Sequence, residues 1–415
     1  MIDYKEWQLS NGLKVVLNED PNTPLVVVNL LYNVGSKNEK PELTGIAHLF
    51  EHLMFSGSKN APDYDELVQK AGGENNAFTS TDITNYYITL PKENLELALW
   101  LESDRMNGLN LDQNSLDVQK KVVIEEFNQR YFNQPYGDVW LHLRPMCYQN
   151  HPYQWPTIGK SIEQIETVTL TDANSFYQQF YSPNNCTLTI SGNVSFEDCQ
   201  ELVKKHFEAR PKAIIEPNNF EFEVEQTKKR FTSLEADVPF DAIYMAFPTE
   251  GKSDRLYQVA DLVTDVLSGG SSSRFYYSLV KEQQLFGDVS AYLTGEDDPG
   301  LLLITGKLSP GVSLEKAESA IWNEINTLIE KGLNDNELSK IINKKLTAEV
   351  YSEMQILNKA MKLAFFHSNG ILSRVNETIS ILKSIAEEEI VSYAKSHITT
   401  DKSNILHYKK VQQQS

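Results

Sequence analysis

The chain has 415 residues, 40% apolar and 23% charged, and its 57 acidic against 38 basic side chains give a formal charge of −19. A single hydrophobic core rarely grows to that length, so two domains are expected. The acidic excess argues against a nucleic-acid partner, whose phosphates require a basic face, and no apolar run is long enough to span a bilayer. The start, Met1-Ile2-Asp3-Tyr4-Lys5-Glu6-Trp7, lacks a charged segment followed by an apolar one. No secretory leader is therefore expected, and the location is read as cytoplasmic, or periplasmic for a chain whose leader has been trimmed. Cys147, Cys186 and Cys199 match no zinc spacing and no disulfide framework, and are read as buried thiols.

In chain order, the Val- and Leu-rich runs Lys14–Glu19 and Leu25–Tyr32 predict strands. Residues 45–55 predict a helix, and 63–71 a second one closed by Gly72 and Gly73. Strands follow at 76–79 and 86–90, the latter ended by Pro91. Long helices are predicted over 93–106 and 112–130, then a helix at 171–180, a strand at 186–191 and a helix at 195–207. The segment 211–231, with Pro211, Pro217 and many charges, reads as a linker between domains at 1–210 and 232–415.

The most specific local signal lies in the first predicted helix, His48-Leu49-Phe50-Glu51-His52. Residues four apart share a helix face, so both imidazoles can reach one point beside it, with Glu51 on nearly the same side. Two neutral imidazoles suit Zn²⁺, and an adjacent carboxylate suits proton abstraction from water; this H-x-x-E-H order is the inverzincin signature. The flanking Ile46, Ala47, Leu53, Met54 and Phe55 make the helix apolar nearly all round. It should therefore be buried, where uncompensated His and Glu side chains cost several kcal/mol. A zinc site needs a third protein ligand, and the 112–130 helix offers Glu125 and Glu126. They point about 100° apart, so spacing alone leaves both open.

Beyond this pentapeptide, the chain carries Asn11-Gly12-Leu13-Lys14-Val15-Val16, Gly35-Ser36-Lys37-Asn38-Glu39 and Thr44 through Phe55. It also carries Gly72-Gly73-Glu74-Asn75-Asn76-Ala77-Phe78-Thr79, Asp82-Ile83-Thr84-Asn85-Tyr86-Tyr87, Val122 through Glu126 and Tyr181-Ser182-Pro183-Asn184-Asn185. With these motifs it resembles, over essentially its whole length, the M16 metallopeptidases. That family includes pitrilysin, insulin-degrading and mitochondrial processing peptidases, and the resemblance is greatest to bacterial members of about 400 residues. The resemblance implies an α+β fold: two tandem homologous α/β domains of the LuxS/MPP-like metallohydrolase type, each a mainly antiparallel sheet with helices packed on one face. It implies one Zn²⁺ per chain held by His48, His52 and Glu126, with Glu51 as the catalytic base. Gln119 stands where the family usually has an acid supporting the ligands. Peptide substrate would add as a strand at Asn76 and Ala77, with Phe78 and Phe55 lining an apolar pocket, inside a chamber formed by facing halves.

The second half repeats the first faintly. His48 through Ser58 align without gaps on Asp261 through Ser271, where Asp261, Thr264 and Asp265 replace the motif, so no zinc is expected there. Ser182-Pro183-Asn184-Asn185-Cys186 likewise parallels Asp401-Lys402-Ser403-Asn404-Ile405. Many active family members carry an Arg and, seven residues later, a Tyr in the second half that polarise the substrate. Aligned on Ser272-Ser273-Arg274-Phe275-Tyr276, those positions here are Val280 and Gly287, neither of which donates a side-chain hydrogen bond. The expectation is thus a zinc-bearing endopeptidase subunit, paired with an M16-like chain that lacks H-x-x-E-H and supplies Arg and Tyr. Competing readings are a self-sufficient homodimer using Tyr276, Tyr292 or Arg274, and a non-catalytic scaffold or peptide-binding subunit.

Overall fold

The Val- and Leu-rich runs form strands at the expected bounds, β2 Lys14–Glu19 and β3 Leu25–Tyr32. β4 Glu74–Thr79, β5 Thr84–Pro91 and β6 Cys186–Gly192 each extend a residue or more beyond the expected strand, and a short strand outside the expected set, β1 Lys5–Gln8, pairs with β2. The computed structural model describes residues 1–216 and 220–411, so residues 217–219 of the expected linker lie outside the described residues. The first sheet has the order β1-β2-β6-β3-β5-β4, with β2 and β6 parallel and every other pair antiparallel. β6 is buried along its whole length and β3 everywhere but Leu25, as strands covered on both faces should be.

The second half supplies β7 Arg230–Ala236, β8 Ala242–Pro248, β9 Phe286–Leu293, β10 Leu301–Leu308 and β11 Asn404–Lys410. Their order is β7-β11-β8-β10-β9, again with one parallel pair, β7 with β11. Leaving β1 aside, the two sheets share strand order and the place of the parallel pair, so the faint internal repeat is a repeat of topology. The aligned motif segments fall in equivalent helices, Ile46–Leu53 before β4 and Arg255–Ser268 before β9.

Two compact units result, and two segments depart from a simple tandem split. The first unit comprises Met1–Asn128, His151–Glu221 and Val350–Asn376; the second comprises Gln129–Asn150, Phe222–Glu349 and the chain from Glu377 on. The late helix Ile356–Ser368 belongs to the first unit because its apolar side packs on β6 and β3, with Leu363 clustered beside Ile2, Val16, Leu372 and Val375. The helix Val139–Cys147 packs on β8 and β11 of the second.

The motif helix starts at Gly45, whose φ of +90° is the left-handed region and where a Cβ would lie 2.5 Å from the Ile158 carbonyl oxygen, so glycine is required. Gly45 brings no capping side chain. Glu39, fully buried, fills that role by accepting the Gly45 N–H at 3.0 Å and the Ala47 N–H at 2.8 Å, along with the Trp155 indole N–H at 3.0 Å. Burial pushes the Glu39 carboxyl up to about 8, against the pull of those three donors. Ile46, Ala47, Leu49, Phe50 and Leu53 are buried, and Phe50 stacks on Tyr177. The helix Gln113–Phe127 starts at Asp112, which accepts the Ser115 N–H, and buries Leu116, Val123 and Phe127. Its α-geometry stops at Phe127, short of the expected end, and continues as a wider π-turn over Asn128–Phe132.

Candidate active site

Helix Ile46–Leu53 packs against helix Gln113–Phe127, which brings His48, His52 and Glu126 together with one ligand atom of each within 4.8 Å of the others. Among the described residues no other His, Cys, Asp and Glu side chains gather in this way. The Glu126 carboxylate oxygen Oε2 lies 3.6 Å from His48 Nε2 and 3.4 Å from His52 Nε2. A typical N–H···O hydrogen bond is shorter, at about 2.7–3.2 Å. Donor atoms around a tetrahedral zinc, with bonds of about 2.0–2.1 Å, stand about 3.4 Å apart, so the three side chains fit the ion. The two imidazoles meet edge to face at 87° with centroids 4.9 Å apart, which lets both ring nitrogens converge on one point. The His48, His52 and Glu126 side chains are 13%, 25% and 20% exposed, leaving the site open on one side to water or substrate. Glu126 turns inward while its neighbour Glu125 is exposed. Gln119, two turns earlier, donates its amide to Ser56 Oγ at 3.4 Å.

Glu51 sits between the histidines in sequence, and its Oε2 accepts the Thr79 hydroxyl at 2.5 Å. Thr79 ends β4, the outermost strand of the first sheet. Along β4 the residues alternate: Glu74, Asn76 and Phe78 are exposed, and Asn75, Ala77 and Thr79 half-buried toward the helices. The Ala77 N–H donates to Asn76 Oδ1 at 2.8 Å, so it points off the sheet edge. By the antiparallel alternation, Asn75 and Thr79 share that outward-facing parity.

Phe55 and Phe78 are not brought together. Phe55 packs on Tyr64 and Tyr86, with centroids 5.9 and 6.0 Å away. Tyr86 is the cross-strand partner of Ala77, so both lie on the helix side. Phe78, 42% exposed, points to the other face. Behind Phe55 lies a buried pair that sequence reading missed. Arg105 bonds Glu102 twice, at 2.7 and 2.6 Å, Tyr64 donates to the same carboxylate at 2.8 Å, and the guanidinium lies 4.4 Å from the Tyr86 ring centroid. Glu102 and Arg105, three apart within an apolar helix, were the available signal. Glu39 and Thr79 stand within the family motifs, but nothing in those motifs shows that Glu39 caps the motif helix or that Thr79 bonds Glu51.

The second unit holds a cation of its own at the equivalent helix. Lys345 Nζ lies 2.6 Å from Asp261 Oδ2 and 3.1 Å from Asp265 Oδ2, and Lys344 reaches Asp265 Oδ1 at 3.1 Å. Burial works against the Lys345 ammonium, but the two carboxylates outweigh it and hold its pKa above the usual lysine range. Val280 packs on the core of this unit, and Gly287 on β9 has open space where a side chain would stand. Arg274 is buried, bonded to Glu337 at 2.7 and 3.2 Å and to the Gly332 carbonyl at 2.7 Å. Tyr276 and Tyr292 remain 43% and 41% exposed.

Comparison with known proteins gives two family matches. Residues 14–160 match the Insulinase (Peptidase family M16) model, and residues 167–345 the Peptidase M16 inactive domain model. The chain is 32% identical over 350 residues to the zinc protease PqqE of Helicobacter pylori, covering 81% of this chain and 77% of that protein. It is 26% identical over 406 residues to the uncharacterized zinc protease YmxG of Bacillus subtilis, covering 96% of each. Among solved structures, that of a protease from Helicobacter pylori superposes with a TM-score of 0.94 at 26% identity, covering 99% of this chain and all of that one. No helix among the described residues is long and apolar enough to cross a membrane.

Proposed function

The chain belongs to peptidase family M16, and from that premise we propose that it is a zinc-dependent endopeptidase in which His48, His52 and Glu126 hold one zinc ion. The observation that carries this reading is the pair of 3.4 and 3.6 Å separations between two imidazole nitrogens and one Glu126 oxygen, longer than a typical hydrogen bond and right for ligands of a common ion. Zinc held there makes water a nucleophile at neutral pH and polarises a carbonyl. Glu51 takes the proton the attacking water gives up. A C–O bond forms at the scissile carbonyl, its C–N bond breaks, and Glu51 passes the proton to the leaving amine.

Substrate docks as an extended peptide on the outer edge of β4. Main-chain hydrogen bonds to Ala77 replace the one that Asn76 now makes, so docking is largely independent of sequence. Phe55 and Phe78 offer side-chain contacts on opposite faces of that edge. The second stabiliser of the developing oxyanion comes from a partner M16-like chain that carries Arg and Tyr, because Val280 and Gly287 carry no donor. Arg274 is a poor substitute, being tied to Glu337. A self-sufficient homodimer would rest on the exposed Tyr276 or Tyr292.

The test is peptide hydrolysis beside zinc content. Glu51→Gln abolishes turnover while keeping about one zinc per chain, and retained turnover removes Glu51 as the base. Adding the partner chain raises turnover at least about tenfold, since a lost oxyanion donor costs about 10²–10³ in rate. An isolated chain that is already fully active points instead to the homodimer.

A further inference from the structure

A Glu carboxylate turns about a broad terminal torsion, so a general base on a helix needs a second group to fix its plane. Here that group comes from the substrate strand itself. The Thr79 hydroxyl donates to Glu51 Oε2 at 2.5 Å, the length of a charge-assisted O–H···O⁻ bond. Thr79 is the last residue of β4 and shares the parity of Ala77, with its side chain toward the helices and its main chain toward the open edge. The strand is pinned on its inner side by β5, with Thr79 opposite Thr84 and Ala77 opposite Tyr86, and it packs on the Ile46–Leu53 helix that carries Glu51.

We infer that Thr79 is a positioning residue that ties the orientation of Glu51 to the strand on which the peptide docks, an inference that rests on the peptidase reading above. A peptide paired along β4 takes its register from the main chain of residues 75, 77 and 79. The base takes its orientation from the side chain of residue 79. The distance from base to scissile bond is then set within one short stretch of backbone, which a helix and a separate loop would not guarantee. Alignment of this kind matters because a displacement of about 1 Å costs on the order of 10² in rate. The hydroxyl is the part that does this; the Thr79 methyl serves only packing.

Three variants test it. Thr79→Val, which keeps the shape and loses the donor, lowers kcat by about 10–100-fold with KM within about twofold and zinc content unchanged. Thr79→Ser, which keeps the donor, restores kcat to within about threefold of wild type. Crystal structures of the zinc-free proteins give a readout independent of turnover: the Glu51 carboxylate leaves its position in Thr79→Val and keeps it in Thr79→Ser. A Thr79→Val protein with wild-type kcat and an unmoved Glu51 overturns the inference, as does an equal loss in Val and Ser. Glu51→Gln run alongside separates the two ideas. If that protein still cleaves peptide, the base assignment fails, and Thr79 is then judged by the position of Glu51 in the crystals alone.

Discussion

Neighbouring glutamates on one helix meet different surroundings because about 100° of rotation separates them. Glu126 turns toward His48 and His52, while Glu125 faces solvent. If the three side chains share a zinc ion, Glu126→Gln weakens zinc binding at least about tenfold, since the amide carries no charge, and Glu125→Gln leaves it unchanged. Competition with a coloured chelator measures both; equal affinities in the two variants would remove Glu126 as the ligand. The buried Glu102–Arg105 pair shows the same dependence on surroundings. It persists at 0% and 1% exposure because each charge meets the other twice and Tyr64 adds a third hydrogen bond.

At the level of elements, each unit presents a helix with two ionisable side chains four residues apart before its edge strand. In the first unit His48 and His52 face Glu126 across a helix pair; in the second Asp261 and Asp265 face Lys345. Two carboxylates so close repel, and the ammonium between them offsets that repulsion without any ion from solution. Lys345→Met should therefore destabilise the protein by about 1–2 kcal/mol, the modest figure reflecting side chains that are still partly exposed. Adding Asp261→Asn to Lys345→Met should recover most of the loss. Chemical denaturation with both variants checks this, and a neutral Lys345→Met would show that the contact contributes nothing. Glycine also acts at this scale: Gly45 lets the motif helix begin against the Ile158 carbonyl, and Glu39 then caps it through the Gly45 and Ala47 N–H groups, six and eight residues further along the chain.

Over the whole molecule, two carboxyl groups bias the pH dependence of stability in opposite directions. His407 hydrogen-bonds Glu318 at 2.9 Å, with Lys229 adding to it, and holds its carboxyl down at about 2. A depressed pKa contributes stability above the unfolded value near 4.5, and that stability is lost as pH falls from there toward 2. Burial raises Glu39 to about 8, so its contribution is fully present below about 4.5 and is lost as pH rises toward 8. Glu318→Gln should flatten the acid limb of a stability–pH curve, and Glu39→Gln the slope between about pH 5 and 8. Unchanged curves from thermal or denaturant unfolding would remove either group from the balance. What the sequence by itself determined is local. The continuous Val- and Leu-rich runs of β2 and β3, the i,i+4 histidines and the Gly72-Gly73 helix stop are written in local composition and spacing, which act the same way in any fold. Tertiary structure decided whatever depends on which elements face each other: Glu126 over Glu125, Thr79 on Glu51, Lys345 between two aspartates, and the return of Ile356–Ser368 to the first sheet. Those contacts join residues from 28 to more than 300 positions apart, and burial and charge pairing, rather than any local pattern, select them.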